Sequence, residues 1–180
     1  MSNPHDELQL VLLAQCGDSA ALEALLAGIQ HRLSRYISGL VGRPAAEDVL
    51  QESFVQIWRN LTWLRRPELF RPWAYRIASR TCYRHLKRSR QWQERVDGDA
   101  AVEDLPAPAA CGIDFAGGLD ALLAEVSPAS RAVLMLHYGE DLSIEETAAI
   151  LDIGVGTAKS RLAYGLTCLR DLAESKGKTK

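Results

Sequence analysis

The chain has 180 residues, of which 47% are hydrophobic and 24% charged, a composition typical of a globular protein and not of a disordered one. Its formal net charge of −2 hides an uneven distribution: residues 1–95 carry 14 basic and 9 acidic side chains, whereas residues 96–118 carry 5 acidic side chains and no basic one. The N-terminus lacks the features of a secretory signal, and no apolar run is long enough for a membrane span, so we expect a cytoplasmic protein.

The first sixty residues predict three helices. The first covers residues 7–16 and the second residues 20–40, with Asp18 or Ser19 as the N-cap between them. Leucine and isoleucine recur at helical spacing along the second helix, which indicates core. A Gly-Arg-Pro break then precedes the third helix, at residues 45–60.

The third predicted helix mixes acidic, amide and large apolar side chains within three turns. Such a mixture is typical of a surface that binds a partner protein. Because Phe54 and Ile57 could equally be core residues, the pattern alone leaves both interpretations open. The candidate contact residues are Asp48, Gln51, Glu52, Phe54, Ile57 and Trp58.

A strongly basic stretch follows, with ten basic and two acidic residues between Arg65 and Arg95. Pro72 suits the first turn of a helix, and no Pro or Gly interrupts the chain after it until residue 98. We therefore predict an irregular connection at residues 61–71 and a helix at residues 73–91. Basic residues recur along one face of this helix at three- and four-residue spacing.

Aromatic rings lie among these charges, at Trp73, Tyr75, Tyr83 and Trp92. Cations that hold a phosphate backbone, together with rings that stack on unpaired bases, are typical of single-strand binding. The alternative is a solvated helix whose arginines form ion pairs and whose aromatic residues are core. The candidate nucleic-acid contacts are Arg65, Arg66, Trp73, Arg76, Arg80, Tyr83, Arg84, Lys87 and Arg88.

Residues 96–118 form an acidic segment with prolines, glycines and few large apolar residues. We predict a flexible linker between two small helical domains, residues 1–95 and residues 119–180. An acidic tether could also mimic a nucleic acid and occupy a basic channel of a partner. The predicted fold class is all-α.

The C-terminal domain has the sequence signals of a helix-turn-helix. A helix at residues 128–139 is followed by Ser143 and Glu146, which fit a capping box at the start of a short helix. Gly154 is predicted to adopt the left-handed conformation of the turn, and Val155 opens the second helix.

The N-terminal end of that second helix is the end that enters the major groove in such motifs. Arg and Lys read guanine edges or hold phosphates, and Ser and Thr suit a phosphate. A helical corner with a solvated face is the alternative. The candidate duplex contacts are Thr157, Lys159, Ser160, Arg161 and Tyr164.

The cysteines and histidines form no recognisable reactive or metal-binding pattern. Cys16, Cys82, Cys111 and Cys168 lie far apart, without the spacing of a zinc site, so we expect free thiols. The four histidines have no nucleophile or metal-ligand partner nearby in sequence. We therefore predict no catalytic residue, no metal and no cofactor, and hence a protein that is not an enzyme.

Three motifs, in this order, resemble those of bacterial RNA polymerase sigma factors of the extracytoplasmic-function group in the sigma-70 family. AEDVLQESFVQIWR (residues 46–59) is similar to the core-polymerase-binding helix of region 2, and PWAYRIA (residues 72–78) to the start of its promoter-melting helix. GVGTAKSRL (residues 154–162) is similar to the recognition helix of region 4. The resemblance covers residues 18–90 and 119–172.

The resemblance implies a role for each candidate surface. The contact residues of the helix at 45–60 would bind core RNA polymerase, and the loop and basic helix would recognise and open the minus-ten promoter element around a flipped base. The second helix of the helix-turn-helix would bind the minus-thirty-five element as duplex. The linker would thread through the polymerase, and an anti-sigma factor would hold the protein inactive, since no sensory domain is visible in the sequence.

The sequence departs from the family pattern at three of the candidate residues. Arg80 and Arg84 stand where Asn and Asp are common, and Tyr164 stands where a basic residue is common. These departures concern the contacts to the non-template strand and the phosphate contact at the end of the recognition helix.

Two other classes of protein match part of this pattern. A stand-alone helix-turn-helix regulator would dimerise through its N-terminal helices and bind duplex operators without polymerase, but it needs no basic helix rich in aromatic residues. An adaptor that grips a partner through residues 46–59 would leave the helix-turn-helix unexplained.

Overall fold

A computed structural model describes residues 4–97 and 119–177 of the chain. Across these two ranges the regular elements are all helical, which confirms the predicted all-α fold class. The chain divides into two compact units, residues 1–86 and residues 87–180. The predicted linker at residues 96–118 lies outside the described residues except for its first two positions, so the predicted domain limits stay predictions.

The first unit consists of helices joined by short turns. Its elements are α1 (Pro4–Gln15), α2 (Ser19–Val41), α3 (Arg43–Asn60), two 3-10 turns (Leu61–Trp63 and Pro67–Leu69) and the first part of α4 (Phe70–Asp97). The three helices predicted in the first sixty residues are therefore confirmed to within a few residues. The predicted irregular connection is shorter and more regular than expected, because α4 begins at Phe70 and already contains Pro72 in its first turn.

Local sequence explains where α2 begins and ends. The Asp18 Oδ1 atom accepts hydrogen bonds from the backbone N–H groups of Ala20 and Ala21, at 2.9 and 3.0 Å. Asp18 is therefore the N-cap, one of the two residues predicted for it. Gly17 and Gly42, at the two breaks, both have a positive φ, 94° and 82°, which side-chain-bearing residues rarely adopt.

Apolar side chains of all four helices form the core of the first unit. Its fully buried members include Val11, Leu33, Ile37, Ile57, Phe70, Ala74, Ala78 and Cys82. Three buried residues of this core form a chain of hydrogen bonds: the Tyr36 hydroxyl and Ser79 Oγ lie 2.7 Å apart, and Ser79 Oγ donates to the Tyr75 carbonyl at 2.7 Å. Because the single Ser79 hydroxyl proton goes to that carbonyl, Tyr36 is the donor to Ser79. The rings of Tyr36 and Tyr75 meet edge to face, with centroids 5.3 Å apart.

This packing corrects one prediction about the aromatic residues of the basic helix. Tyr75 was predicted to lie among the charges and stack on bases, but only 3% of it is exposed. Its position on the inner face of α4, against Tyr36, makes it a core residue.

The second unit contains the helix-turn-helix. Its elements are α5 (Leu119–Ala124), α6 (Pro128–Leu134) with a π-helical turn at Met135–Gly139, α7 (Ile144–Leu151) and α8 (Val155–Gly177). The predicted helix at residues 128–139 is confirmed, with its last turn widened. Arg131 is buried, and its Nη2 atom donates to the carbonyls of Ala124 and Val126, both at 2.7 Å, which ties the end of α5 to α6.

The start of α7 confirms the predicted capping box. The Glu146 N–H donates to Ser143 Oγ at 3.1 Å, and the Ser143 N–H donates to Glu146 Oε2 at 2.8 Å. The hydrogen bonds from the side chain and backbone of Ser143 lower the pKa of Glu146. The predicted geometry of the following turn is wrong, because the left-handed residue is Asp152, with φ 59° and ψ 43°, and not Gly154. Asp tolerates this conformation better than most residues, so the turn does not need a glycine there.

A close approach of α6 and α8 predicts that Gly165→Ala destabilises the second unit. Gly165 is buried within α8, and a Cβ atom there would lie 2.8 Å from Leu134 Cδ1 and 3.4 Å from Ser130 Cβ. Overpacking costs about 1–3 kcal/mol, which exceeds the gain of roughly 1 kcal/mol from replacing a helical glycine with alanine. We expect a net loss of about 1 kcal/mol in chemical denaturation. Gly156→Ala, in the same helix with no atom within 4 Å of the new Cβ, is the matched control and should not be destabilising.

The burial of Cys82 predicts a thiol that does not react in the folded protein. Cys82 is fully buried in α4, and burial raises the pKa of its thiol to about 12. Because the thiolate is the reactive form, iodoacetamide at pH 8 should leave Cys82 unmodified until the protein is denatured. Cys16 is exposed and serves as the internal control. Peptide mass mapping that finds Cys82 alkylated as fast as Cys16 would contradict this expectation.

Candidate functional site

An exposed surface runs along α3. Asp48, Gln51, Val55 and Trp58 follow each other at three- and four-residue spacing, which places them on one face of the helix. All four are exposed, Val55 at 37% and Trp58 at 58%. We call this surface the α3 stripe. It combines a polar end with an apolar end, whereas the opposite face of α3 is buried in the core.

The structure changes the membership of the predicted contact set. Ile57 is fully buried in the core and therefore cannot contact a partner, which makes its inclusion wrong. Phe54 and Glu52 are half-buried at the edge of the stripe. Val55 was missed, although its spacing from Gln51 and Trp58 could have identified it.

Glu52 is bonded to a residue predicted for a different surface. Arg84 Nη1 on α4 donates to Glu52 Oε1 at 2.7 Å. Both side chains are partly exposed, so the pair contributes about 0–1 kcal/mol to stability. A partner of either residue can therefore replace this bond at little cost.

The predicted basic face of α4 divides into an outer and an inner part. The outer part is the exposed side chains Arg80, Arg84, Lys87 and Arg88. In the inner part, Arg76 and Tyr83 are half-buried, with the Nε atom of Arg76 and the hydroxyl of Tyr83 inaccessible to solvent.

Trp73 is also half-buried and lies beside Phe70, with ring centroids 6.3 Å apart. The side chain of Trp92 lies outside those that the structure describes.

The connection between α3 and α4 exposes an aromatic ring among arginines. Trp63 is 80% exposed, and Arg65 and Arg66 beside it are exposed as well. Arg66 Nε donates to Glu68 Oε1 at 2.9 Å, and this bond lowers the pKa of the Glu68 carboxyl. Trp63 was absent from the predicted contact set. The only signal for it in the sequence is a large aromatic residue in a short connection rich in arginine.

At the start of α8 the predicted duplex contacts lie together. Four of them are exposed: Thr157, Lys159, Ser160 and Tyr164. Arg161 is half-buried. Ala158, which lies between them in the sequence, is fully buried and anchors the helix. Ser160 Oγ donates to the Thr157 carbonyl at 3.0 Å, so the proton of this hydroxyl is already used within the helix. The side chains of Thr157, Lys159, Arg161 and Tyr164 remain as groups that can donate to DNA.

The described residues show neither a metal site nor a membrane span. Within residues 4–97 and 119–177, no three His, Cys, Asp or Glu side chains are grouped as metal ligands. None of the helices in that part of the chain combines the length and the apolar character needed to cross a bilayer.

Comparison with known proteins identifies the family. The model of Sigma-70 region 2 matches residues 25–93, and the model of Sigma-70, region 4 matches residues 122–171. The RNA polymerase sigma-H factor of Pseudomonas aeruginosa is 30% identical over 175 residues, which cover 90% of this chain and 91% of that protein. The chain belongs to the sigma-70 family of RNA polymerase sigma factors.

Further relatives of this chain are sigma factors of the extracytoplasmic-function (ECF) group. The ECF RNA polymerase sigma-E factor of Escherichia coli K12 is 28% identical over 174 residues, 90% of this chain and 91% of that protein. That of Salmonella typhimurium LT2 is 29% identical over the same length and coverage. The predicted resemblance to ECF sigma factors is confirmed.

Two solved structures share the fold of this sigma factor. The structure of CnrH in complex with the cytosolic domain of CnrY matches with a TM-score of 0.67 and 23% identity, over 94% of this chain and 98% of that one. The sigma factor RpoE from Bartonella quintana, in complex with the anti-sigma factor NepR, matches with a TM-score of 0.70 and 21% identity, over 84% of this chain and 96% of that one. At these identities the likeness concerns the fold.

The two family matches contain all of the candidate surfaces of this sigma factor. The α3 stripe, the connection that exposes Trp63 and the basic face of α4 fall within the region 2 match. The N-terminal end of α8 falls within the region 4 match. By contrast, α1 lies before the start of the region 2 match.

Proposed function

We propose that this sigma factor binds core RNA polymerase through the α3 stripe, with Glu52 and Phe54 at its edge, and so directs promoter-specific transcription initiation. The observation that carries this proposal is the exposure of Trp58 and Val55 beside Asp48 and Gln51, on a helix whose other face is core. Large apolar side chains that stay exposed in the free protein are typical of protein interfaces. Tryptophan is enriched among the strongest contacts of such interfaces.

The connection at residues 61–69 and the outer basic face of α4 recognise and open the minus-ten element. Flipping a base out of the duplex costs a few kcal/mol, and stacking of one base on an aromatic ring returns about 1–3 kcal/mol. Trp63 offers such a ring, and Arg65 and Arg66 lie beside it. The cations Arg80, Arg84, Lys87 and Arg88 then hold the separated strand by its phosphates.

The N-terminal end of α8 binds the minus-thirty-five element in the major groove. Its exposed Thr157, Lys159 and Tyr164 and the half-buried Arg161 are the contact residues, with Ser160 among them as an acceptor. A helix N-terminus carries unpaired backbone N–H groups and a partial positive charge, which also favour a nearby phosphate.

Residues 1–95 and 119–180 act as the two functional domains, joined by the acidic linker at residues 96–118. The protein acts in the cytoplasm, performs no catalysis of its own and needs no cofactor, because the polymerase carries out the chemistry. An anti-sigma factor controls it, which the likeness to RpoE in complex with NepR supports.

Run-off transcription on a library of promoter fragments tests this proposal. Purified core RNA polymerase is assayed with and without the protein. Specific transcripts that depend on the added protein, from templates sharing two elements at fixed spacing, would support the assignment. If no transcript appears and the protein binds duplex DNA tightly without polymerase, the protein is a stand-alone helix-turn-helix regulator instead.

A further inference from the structure

The last residue of α1 fastens the connection between α3 and α4. Gln15 Nε2 donates one hydrogen bond to the Leu61 carbonyl at 2.9 Å and another to the Leu64 carbonyl at 2.8 Å. A side-chain amide nitrogen has two N–H donors, so this residue uses both of them. The two acceptors lie at the two ends of the 3-10 turn that contains Trp63. Gln15 therefore links the two ends of that turn through its side-chain amide.

The first turns of α1 fasten the other end of the same connection. Arg71 Nε, in the first turn of α4, donates to Glu7 Oε2 at 2.6 Å, and both side chains are partly shielded from solvent. Between these two attachments α1 is anchored to the core by Val11, which is fully buried. The helix α1 thus binds the connection near both of its ends. Trp63, Arg65 and Arg66, within the connection, stay exposed.

We propose that Gln15 and Glu7 are positioning residues for minus-ten recognition, a role that rests on the function proposed above for residues 61–69. A short connection free to change shape would adapt to a wrong base as well as to the correct one, and this adaptation would reduce the difference in affinity between the two bases. A turn that is already fixed in the free protein cannot adapt in this way, so a wrong base leaves its contacts incomplete. Neither residue falls within the region 2 match at residues 25–93, whereas Leu61, Leu64 and Arg71, to which they bond, do.

Base discrimination by the Gln15→Met protein tests the proposal. Methionine keeps the approximate size of the side chain and removes both donors. Open-complex formation with core polymerase is measured on the best promoter from the run-off library, on its single-base minus-ten variants and on its minus-thirty-five variants. We expect discrimination at one or more minus-ten positions to fall about fivefold to tenfold, the effect of losing two hydrogen bonds, with discrimination at the minus-thirty-five element unchanged.

Controls separate positioning from a loss of folded protein. Gln9→Met makes the same change at an exposed position of the same helix and should leave both discriminations unchanged. A merely unfolded fraction would lower activity on all promoters by the same factor and would leave the ratios unchanged. Glu7→Gln, which removes the charge that pairs with Arg71, should reduce minus-ten discrimination in the same direction as Gln15→Met.

Hydrogen exchange of the free protein provides a second measurement that needs no promoter. In the Gln15→Met protein the amides of residues 61–69 should exchange faster, and those of α2 should not change. Wild-type protein that gives specific transcripts, together with unchanged minus-ten ratios for Gln15→Met, would overturn the positioning role and leave the proposed function intact. Wild-type protein that gives no transcript would overturn the proposed function itself.

Discussion

Replacing Trp58 with alanine is expected to weaken the binding of core RNA polymerase by about thirtyfold or more, the effect of removing a strong aromatic contact from a protein interface. Trp58 is 58% exposed, so its truncation opens no cavity in the core and the variant should remain folded. The loss should appear mainly as faster dissociation, measured by surface plasmon resonance on immobilised core enzyme.

Two further variants sharpen this prediction. Leu12→Ala removes an apolar side chain of similar exposure, 48%, from α1 and should bind polymerase like the wild-type protein. Asp48→Ala combined with Gln51→Ala tests the polar end of the α3 stripe and should also weaken binding. Wild-type affinity of Trp58→Ala, with an unchanged thermal midpoint, would remove the α3 stripe from the polymerase interface.

Arg161→Ala is expected to reduce transcription from promoters that depend on the minus-thirty-five element by about tenfold or more. An arginine that contacts a guanine edge with two hydrogen bonds contributes about 1–3 kcal/mol of discrimination, and Arg161 lies on the exposed start of α8. The measurement compares run-off transcripts from one promoter with its own upstream element and with a scrambled one. In the variant this ratio should fall towards one.

Arg170 provides the matched control for that experiment. It is exposed on the same helix, but it lies beyond the N-terminal end and on the other side. Arg170→Ala should therefore keep the wild-type ratio. If Arg161→Ala keeps it too, the contact to the minus-thirty-five element belongs to other residues of α8, and Lys159 is the next to replace.

The structural features that could be predicted from the sequence are those that depend on neighbouring residues. Asp18 bonds to N–H groups two and three residues away, and Ser143 pairs with a glutamate three residues on, so a short sequence window contains both caps. Helical periodicity places the α8 contacts on one surface for the same reason. The order of the three motifs then sufficed to indicate the family.

The features that could not be predicted depend on contacts between distant residues. Periodicity indicates that Val55 and Ile57 lie on different faces of α3, but only the packing of the other helices decides which face is covered. Gln15 bonds to carbonyls 46 and 49 residues away, and no local pattern contains that information. The left-handed residue of the turn was assigned to Gly154 by its type, whereas the backbone path requires this conformation at Asp152.

If Glu52 contacts the polymerase and Arg84 contacts the strand, as proposed, the bond between these two residues links polymerase binding to strand binding. In the free protein, the charges of these two residues are paired with each other. A basic group on the polymerase that took over Glu52 would leave Arg84 available to a phosphate, and by reciprocity a bound strand would raise the affinity for polymerase. An exposed pair of this kind is worth at most about 1 kcal/mol, so the two affinities could change each other by no more than about fivefold. Polymerase and DNA would therefore each slightly favour the binding of the other, and the pair would not act as an all-or-none switch.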